Sequence, residues 1–160
     1  MALNLSIRWC KPVHLVNGRD QGLTYTCEYK ELPEVPGVYI FGRHFGAAFA
    51  PLYIGKAKNI AKRVLQHFNN NVKLMNRIRD EGKIGARVLI AGEWLPSPGQ
   101  KPAKALAVLE RALIRHALAE GFEIFNLNGT KAPSHTIEAT GYRAGGFLPK
   151  SMKSQHLTGY

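Results

Sequence analysis

The stretch that decides the fold runs from residue 37 to residue 68, GVYIFGRHFGAAFAPLYIGKAKNIAKRVLQHF. Its first five residues, 37–41, are mostly β-branched and aromatic, which predicts a buried strand. Residues 52–55 predict a second strand beside the first, and the small residues between the two predict a loop. From Asn59 onward the apolar residues recur at helical spacing, so we expect a helix to follow the two strands.

The flanking sequence adds further elements. Residues 72–79 predict a second, basic helix, and residues 86–91 predict a third strand. A long helix is predicted between Pro102, which suits a first helical position, and Gly121, which suits a helix end. The alternation of strands and helices indicates an α/β chain.

The N-terminal segment shows a different pattern. Apolar residues alternate with polar ones over residues 3–9 and again over 23–29, with a turn signal at Asn17-Gly18 between them. This pattern predicts an N-terminal β hairpin. We therefore divide the chain into a hairpin extension (1–34), a core (35–128) and a tail (129–160). The tail contains four basic residues and one acidic residue. Such a tail suits a flexible segment or a basic arm.

The charge of the chain is strongly positive. Its 22 Lys and Arg residues against 11 Asp and Glu give a formal net charge of +11. Nine basic residues and two acidic ones lie between Lys56 and Arg87, so this segment alone carries +7. Clustered positive charge is typical of proteins that bind a phosphate backbone, although membrane surfaces and acidic partners also attract basic proteins.

The remaining composition narrows the class of protein. No apolar run is long enough to span a bilayer, and the N-terminus lacks the pattern of a signal peptide, so we expect a soluble, cytoplasmic protein. Cys10 and Cys27 form no CxxC pair and are expected to be small reduced thiols. The histidines at 14, 44, 116, 135 and 156 show no metal-ligand spacing.

Glu110 is a carboxylate on a largely apolar helical stripe with Leu106, Leu113 and Ala117. These positions share one helix face, so we expect Glu110 to point toward the core. Burial of a carboxylate is costly unless a cation, a metal or a hydrogen-bond network compensates it. A carboxylate-bound divalent ion neutralises charge in phosphodiester hydrolysis, and oxygen ligation completed by water and phosphate indicates Mg²⁺. An ion pair with Arg63 or another base is the alternative.

The tripeptides GVY at 37–39 and YIG at 53–55 resemble the two namesake motifs of the GIY-YIG nuclease family, with Val38 in place of the commoner isoleucine. The continuation YIGKAKNIAKRVLQHF is especially similar to the N-terminal nuclease module of the bacterial excision-repair endonuclease. Arg63 lies eight residues after Gly55, where the family has its catalytic arginine, and Glu110 and Asn126 follow in the family order. The resemblance covers residues 35–128 and extends to GIY-YIG restriction and homing endonucleases.

The resemblance implies an α/β (α+β) fold, with a small antiparallel sheet of three strands flanked by helices. It also implies a DNA endonuclease that depends on Mg²⁺ or Mn²⁺. Tyr39 and Tyr53 are expected on adjacent antiparallel strands near Arg63. We interpret Tyr39 as the general base, because nearby cations such as Arg63 and Lys56 would favour its phenolate. Tyr53 would position the water or the phosphate, and which tyrosine has which role stays open.

Three further residues complete the predicted site. Arg63 would stabilise the developing charge on phosphate, unless it is only a solvated helix charge. His67 lies four residues later on the same helix face, as in some restriction enzymes of the family, and is either catalytic or structural. Asn126 would orient Glu110 or the nearby backbone, unless it merely forms a turn.

The predicted function is hydrolysis of DNA with one active site per chain. A scaffold that binds nucleic acid without cutting it is one alternative, and a catalytic subunit of a larger repair or recombination assembly is another. The high charge favours a monomer in free solution, with a dimer on DNA as a further option. The sequence leaves restriction, repair and mobility open, because no motif specifies the recognised DNA. The residues expected to contact DNA are Lys56, Lys58, Lys62, Lys73, Arg77 and Arg79.

Overall fold

A computed structural model of the chain describes residues 3–126, 134–138, 140–142 and 151–155. The chain divides into two compact units, residues 1–126 and residues 127–160. The first unit contains all the predicted site residues. Its strands and helices are, in chain order, β1 (Ser6–Trp9), β2 (Val13–His14), β3 (Val16–Asn17), β4 (Tyr25–Thr26), β5 (Gly37–Phe45), β6 (Ala48–Ala57), α1 (Ile60–Asn70), α2 (Val72–Arg79), β7 (Ala86–Leu95) and α3 (Pro102–Ala119).

The main sheet confirms the predicted fold class. It is antiparallel, in the order β1-β7-β5-β6, with β2 also paired to β7, and the three helices flank it. The three predicted strands form its middle and one edge, with β5 between β6 and β7. Tyr39 on β5 lies directly opposite Gly55 on β6, so the two family motifs are neighbours in register.

The predicted N-terminal hairpin is wrong in its pairing. Residues 6–9 form β1, which adds to β7, with Ile7 opposite Trp94, and a hairpin remains only between the two-residue strands β3 and β4. Period-two alternation identifies a strand but not its partner. The long β7 offers an edge for pairing. At Gly92 of that strand an added Cβ would lie 2.6 Å from the Ile7 side chain, so the absent side chain makes room for β1.

The predicted loop between the two motif strands is also different in the structure. β5 continues to Phe45 and β6 begins at Ala48, so a tight turn at Gly46, with φ of 60°, joins them. The pairing register of β5 with β6 shifts between Phe41 and Gly42. Pro51 is tolerated within β6 because this strand lies at the edge of the sheet.

The core lies between the sheet and the first two helices. Its members are large apolar side chains that are almost fully buried, and each stabilises the fold by about 1.5–3 kcal/mol relative to exposure. They include Phe41, Ile60, Val64, Phe68, Met75, Ile78 and Leu89. Asn59 begins α1, since its side chain accepts a hydrogen bond from the Lys62 amide at 3.0 Å. The predicted bounds of α2 and α3 are confirmed.

The second unit contains one described antiparallel pair, β8 (Ser134–Glu138) with β9 (Ser151–Gln155). Of the basic residues expected in the tail, Lys153 lies in β9, and Lys131, Arg143 and Lys150 lie outside the described residues. Within the described ranges, no helix has the length and apolar character needed to cross a membrane.

Candidate active site

Tyr39 and His67 form the buried centre of the candidate site. Tyr39 on β5 is 1% exposed and His67 on α1 is 2% exposed. The Tyr39 hydroxyl lies 2.7 Å from Nε2 of His67, which is hydrogen-bond distance. Phe41 packs edge-on against the imidazole, with ring centroids 5.8 Å apart. A polar pair is therefore held inside an aromatic pocket, where the two groups hydrogen-bond to each other.

Gly55 explains how the Tyr39 ring reaches this position. A Cβ added at Gly55 would lie 2.3 Å from both Cζ and Oη of Tyr39. Contacts this short are impossible, so the tyrosine ring occupies the space that a side chain on β6 would need. The glycine of the second motif is thus required by the tyrosine of the first.

Tyr53 belongs to the same cluster and is half-buried. Its ring centroid lies 6.5 Å from that of Tyr39 and 5.6 Å from that of His67. Tyr53 and Gly55 are two residues apart on β6, so they share one face of the sheet with the Tyr39 ring. The structure therefore brings Tyr53 together with Tyr39 and His67.

The electrostatics of the tyrosines differ from the prediction. Burial raises the pKa of Tyr39 well above its usual value, the Tyr53 oxygen raises it further, and the Arg63 guanidinium lowers it only in part. Burial likewise raises the pKa of Tyr53 against the opposing effect of Arg63. Arg63 does favour the Tyr39 phenolate, as expected, but desolvation of the charged form outweighs it, so the net shift of the pKa is upward.

His67 is held neutral in the same pocket. Burial, aided by the positive charge of Arg63, lowers the pKa of its imidazole to about 4. Arg63 itself is exposed on α1, and its Nη1 donates to Oε1 of Gln66 at 3.2 Å. A guanidinium with solvent access beside a buried phenol and imidazole is suitably placed to meet an incoming phosphate.

The prediction that Glu110 points into the core is wrong. Its side chain on α3 is 25% exposed, and Oε1 lies 3.1 Å from Nζ of Lys56 on β6. The helical stripe is only partly covered, because Leu106 and Ala117 are buried whereas Leu113 is half-buried. The charge of Glu110 contributes to the raised pKa values of Tyr39 and Tyr53, so its carboxylate lies beside the tyrosine cluster.

A single carboxylate defines what metal this site could hold. Among the described residues, no group of three or more His, Cys, Asp or Glu side chains is arranged to bind a metal ion. Glu110 is nevertheless accessible and already has a cation, the Lys56 ammonium, at one oxygen. One carboxylate completed by water and phosphate oxygens fits Mg²⁺, which retains several waters, and does not fit a closed zinc site.

Asn126 lies at the edge of β6. Its Oδ1 accepts a hydrogen bond from the Ile54 amide at 2.9 Å, and its Nδ2 donates to the Ile54 carbonyl. The neighbouring Phe125 amide donates to the Leu52 carbonyl at 2.7 Å. Asn126 thus satisfies the outward backbone groups next to Tyr53, and its described hydrogen bonds go to this backbone and not to Glu110.

The predicted DNA-contacting residues are not all alike. Lys58, Lys62 and Lys73 are exposed. Arg79 is exposed but pairs with Asp80 at 2.8 Å, and the Arg77 guanidinium lies 4.2 Å from the centroid of the Phe125 ring. With Lys56, which pairs with Glu110, three of the six therefore have contacts within the protein, which compete with binding to phosphate.

Arg87, counted in the basic segment, has a structural role. Its side chain is 10% exposed, and its guanidinium donates to the carbonyls of Ile78 and Gly85, both at 2.8 Å. It also lies 3.7 Å from the Glu81 carboxylate, which Arg43 approaches to 3.3 Å. This charge therefore stabilises the connection between α2 and β7.

The sequence left open which base would pair with Glu110, and in the structure it is Lys56, 54 residues away in the chain. Sequence reasoning missed Asn71, whose Nδ2 lies 3.1 Å from Nδ1 of His67. An asparagine between two predicted helices is a recognisable capping signal, but its contact with the imidazole four residues earlier depends on the turn that joins α1 and α2.

Parts of the chain are similar to curated proteins. UvrABC system protein C of Dictyoglomus thermophilum is 44% identical over 54 residues, which is 34% of this chain and 8% of that protein. UvrABC system protein C of Aquifex aeolicus is 57% identical over 35 residues, which is 22% of this chain and 6% of that protein. The matched part is less than a tenth of either relative's length. No family model matches the chain. No solved structure matches it either.

Proposed function

We propose that this chain is a metal-dependent endonuclease of the GIY-YIG type that hydrolyses phosphodiester bonds in DNA. The observation that carries the proposal is the cluster of Tyr39, Tyr53 and His67, with Arg63 as its cation and Glu110 beside it. A buried core or a simple ion pair does not need these five groups together. The partial similarity to UvrABC system protein C supports the resemblance seen in the two motifs.

The proposed reaction is a single displacement at phosphorus. A water oxygen forms a bond to the phosphorus atom as the bond to the leaving oxygen breaks, and one proton of the water passes to a base. Arg63 would bind the non-bridging oxygens and stabilise the charge that develops on them. Tyr53, half-buried beside Arg63, would orient the water or the phosphate.

Tyr39 is the proposed base, and its raised pKa has a consequence for the reaction. Only a small fraction of Tyr39 is ionised at neutral pH, so donors directed at its oxygen are needed to stabilise the phenolate. Arg63 is one such donor. The cleavage rate should therefore rise with pH through the neutral range, because the ionised fraction rises tenfold per pH unit below the pKa.

Glu110 is the proposed ligand of a Mg²⁺ or Mn²⁺ ion. When bound, such an ion would supply charge neutralisation for the phosphate and leaving oxygens. Lys56 would release the Glu110 carboxylate in that state and turn toward phosphate. The exposure of Lys56 and the solvent access of Glu110 make this exchange sterically feasible.

A place within a larger assembly is a second proposal, and one observation favours it. The matched relatives carry names that make each a component of a named system, and the matched part is a small share of their length. This chain could accordingly supply the cutting module to partners that choose the target. With one site per chain, the free protein should nick one strand at a time and behave as a monomer at its charge of +11.

The decisive experiment is cleavage of supercoiled plasmid, and of branched or damaged duplexes, by the purified chain in Mg²⁺. We expect nicked circles first and a loss of about 100-fold or more in rate for Glu110→Gln. DNA affinity should stay within a few-fold, because the basic surface is unchanged. The matched control is Glu120→Gln, an exposed glutamate one position beyond the end of α3, which should cut like the wild type.

Two outcomes would overturn this proposal. If the wild-type chain binds every duplex tested but cuts none of them, it is a non-cutting nucleic-acid-binding module. If Glu110→Gln cuts at the wild-type rate, Glu110 is not a ligand for the metal ion. A mixture of linear and nicked products at the earliest times would instead point to a dimer on DNA.

A further inference from the structure

Asn71 stands at the junction of two helices and serves both. Its backbone amide donates to the His67 carbonyl at 3.0 Å, which ends α1. Its side chain begins α2, where Oδ1 accepts a hydrogen bond from the Leu74 amide at 3.4 Å. The side-chain amide of Asn71 also contacts His67, with Nδ2 at 3.1 Å from Nδ1 of the imidazole.

The helix cap fixes which end of the Asn71 amide faces His67. If the amide were turned over, its NH₂ group would face the Leu74 N–H, and two donors would oppose each other. With Oδ1 used by the cap, only the NH₂ group faces the imidazole. Nδ1 of His67 must therefore accept this hydrogen bond.

The state of Nδ1 determines the state of Nε2. A neutral imidazole has one N–H, so an Nδ1 that accepts leaves the proton on Nε2. The lowered pKa of His67, about 4, keeps the ring neutral near pH 7. Nε2 lies 2.7 Å from the Tyr39 oxygen, so its N–H donates to that oxygen. The phenol proton of Tyr39 is then directed away from His67.

We propose that Asn71 is a positioning residue that holds His67 in the Nε2–H tautomer, so that His67 donates a hydrogen bond to Tyr39 and cannot accept its proton. This proposal deepens the proposed function and rests on it for its catalytic part. Together with Arg63, His67 is then a second donor that stabilises a Tyr39 phenolate. A relay in which Tyr39 passes its proton to His67 is excluded, because the accepting nitrogen is already protonated.

The substitution Asn71→Asp tests the tautomer directly. Aspartate has the same shape and keeps an oxygen for the Leu74 amide, so the helix cap is retained. Its second oxygen replaces the NH₂ group and can only accept, so the proton of His67 should move to Nδ1. The matched control is Asn59→Asp, at the cap of α1, where the side chain accepts from the Lys62 amide in the same way without a contact to an imidazole.

The measurement is the ¹⁵N NMR spectrum of the imidazole nitrogens at about pH 8.5 in the free protein, where both forms of His67 should be neutral. We expect a protonated Nε2 in the wild type and in Asn59→Asp, and a protonated Nδ1 in Asn71→Asp. A wild-type His67 with its proton on Nδ1, or an Asn71→Asp variant that keeps Nε2–H, would overturn the assignment. The fold of each variant is checked by its thermal unfolding.

Cleavage tests the catalytic part separately. At about pH 8.5, Asn71→Asp should lose at least about tenfold in rate through the lost donor to Tyr39, whereas Asn59→Asp should stay within about twofold of the wild type. If the tautomer changes but the rate does not, the proposed catalytic effect is wrong. If the wild type does not cut at all, the proposed function fails, and the NMR result still decides the tautomer.

Discussion

Replacement of His67 by a residue that does not titrate should make the free energy of unfolding less sensitive to acid. The imidazole has a pKa of about 4 in the folded chain and about 6.5 when unfolded, so the unfolded state binds more protons between these values. Stability from this group is therefore complete above pH 6.5 and is lost as the pH falls toward 4. The full difference corresponds to about 3 kcal/mol, of which about 2 kcal/mol is lost by pH 5.

The substitution His67→Gln isolates this contribution. Glutamine retains a polar group for Tyr39 but does not titrate, so carboxylates and other groups contribute equally to both proteins. Urea unfolding at several values between pH 4.5 and 7.5, analysed by linear extrapolation, gives the free energy of unfolding of each. The wild type should lose about 2 kcal/mol more than the variant between pH 7.5 and pH 5.

The control for this experiment is His116→Gln, an exposed histidine near the end of α3. It should lose stability with acid in the same way as the wild type, because this substitution leaves the buried pair of Tyr39 and His67 in place. The reasoning is refuted if His67→Gln and the wild type show parallel pH dependence. His67 would then be accessible to protons in the folded chain, and the buried pair with Tyr39 would not exist.

Two further perturbations test the packing and the charge of the molecule. Gly55→Ala should destabilise the fold by about 1–3 kcal/mol and lower the cleavage rate, because the new methyl group would lie 2.3 Å from the Tyr39 oxygen. An unchanged free energy of unfolding together with an unchanged cleavage rate would contradict this close approach. Substitution of three exposed lysines of the basic segment (Lys58, Lys62 and Lys73) by glutamine should weaken binding to all DNA sequences alike and reduce the salt slope by about one unit per lost contact. A matched triple variant outside this segment, with Lys11, Lys101 and Lys104 changed to glutamine, should keep the salt slope. An unchanged slope in both variants would locate the phosphate surface outside the basic segment.

Local patterns in the sequence were enough for the helices, for three strands of the main sheet (β5, β6 and β7) and for the residue types of the candidate site. A helical face or an alternating strand repeats within a few residues, so residues 72–79 and 102–119 could be assigned without any knowledge of their surroundings. The spacing of the two motifs and of Arg63 also lies within a single stretch of chain. Their register, with Tyr39 opposite Gly55, follows once the two strands pair.

The partner of each element and the charge state of each group were decided only by the tertiary structure. The alternation over residues 3–9 predicted one arm of a hairpin, yet β1 in that segment pairs with a strand more than 80 residues away. The upward shift of the Tyr39 pKa could not be predicted from the cations near it in sequence, because desolvation depends on every atom that excludes water from the ring.

The contacts of the Glu110 and Asn71 side chains depend on structure beyond the local sequence pattern. The sequence determined that Glu110 lies on a helix near an apolar stripe, but the exposure of its carboxylate and its ion pair with Lys56 depend on how α3 packs on β6. The contact of Asn71 with the imidazole depends on the turn between α1 and α2, where the same side chain caps α2. Periodicity is encoded by neighbours along the chain, but burial and hydrogen-bond direction are properties of atoms that meet only in the folded chain.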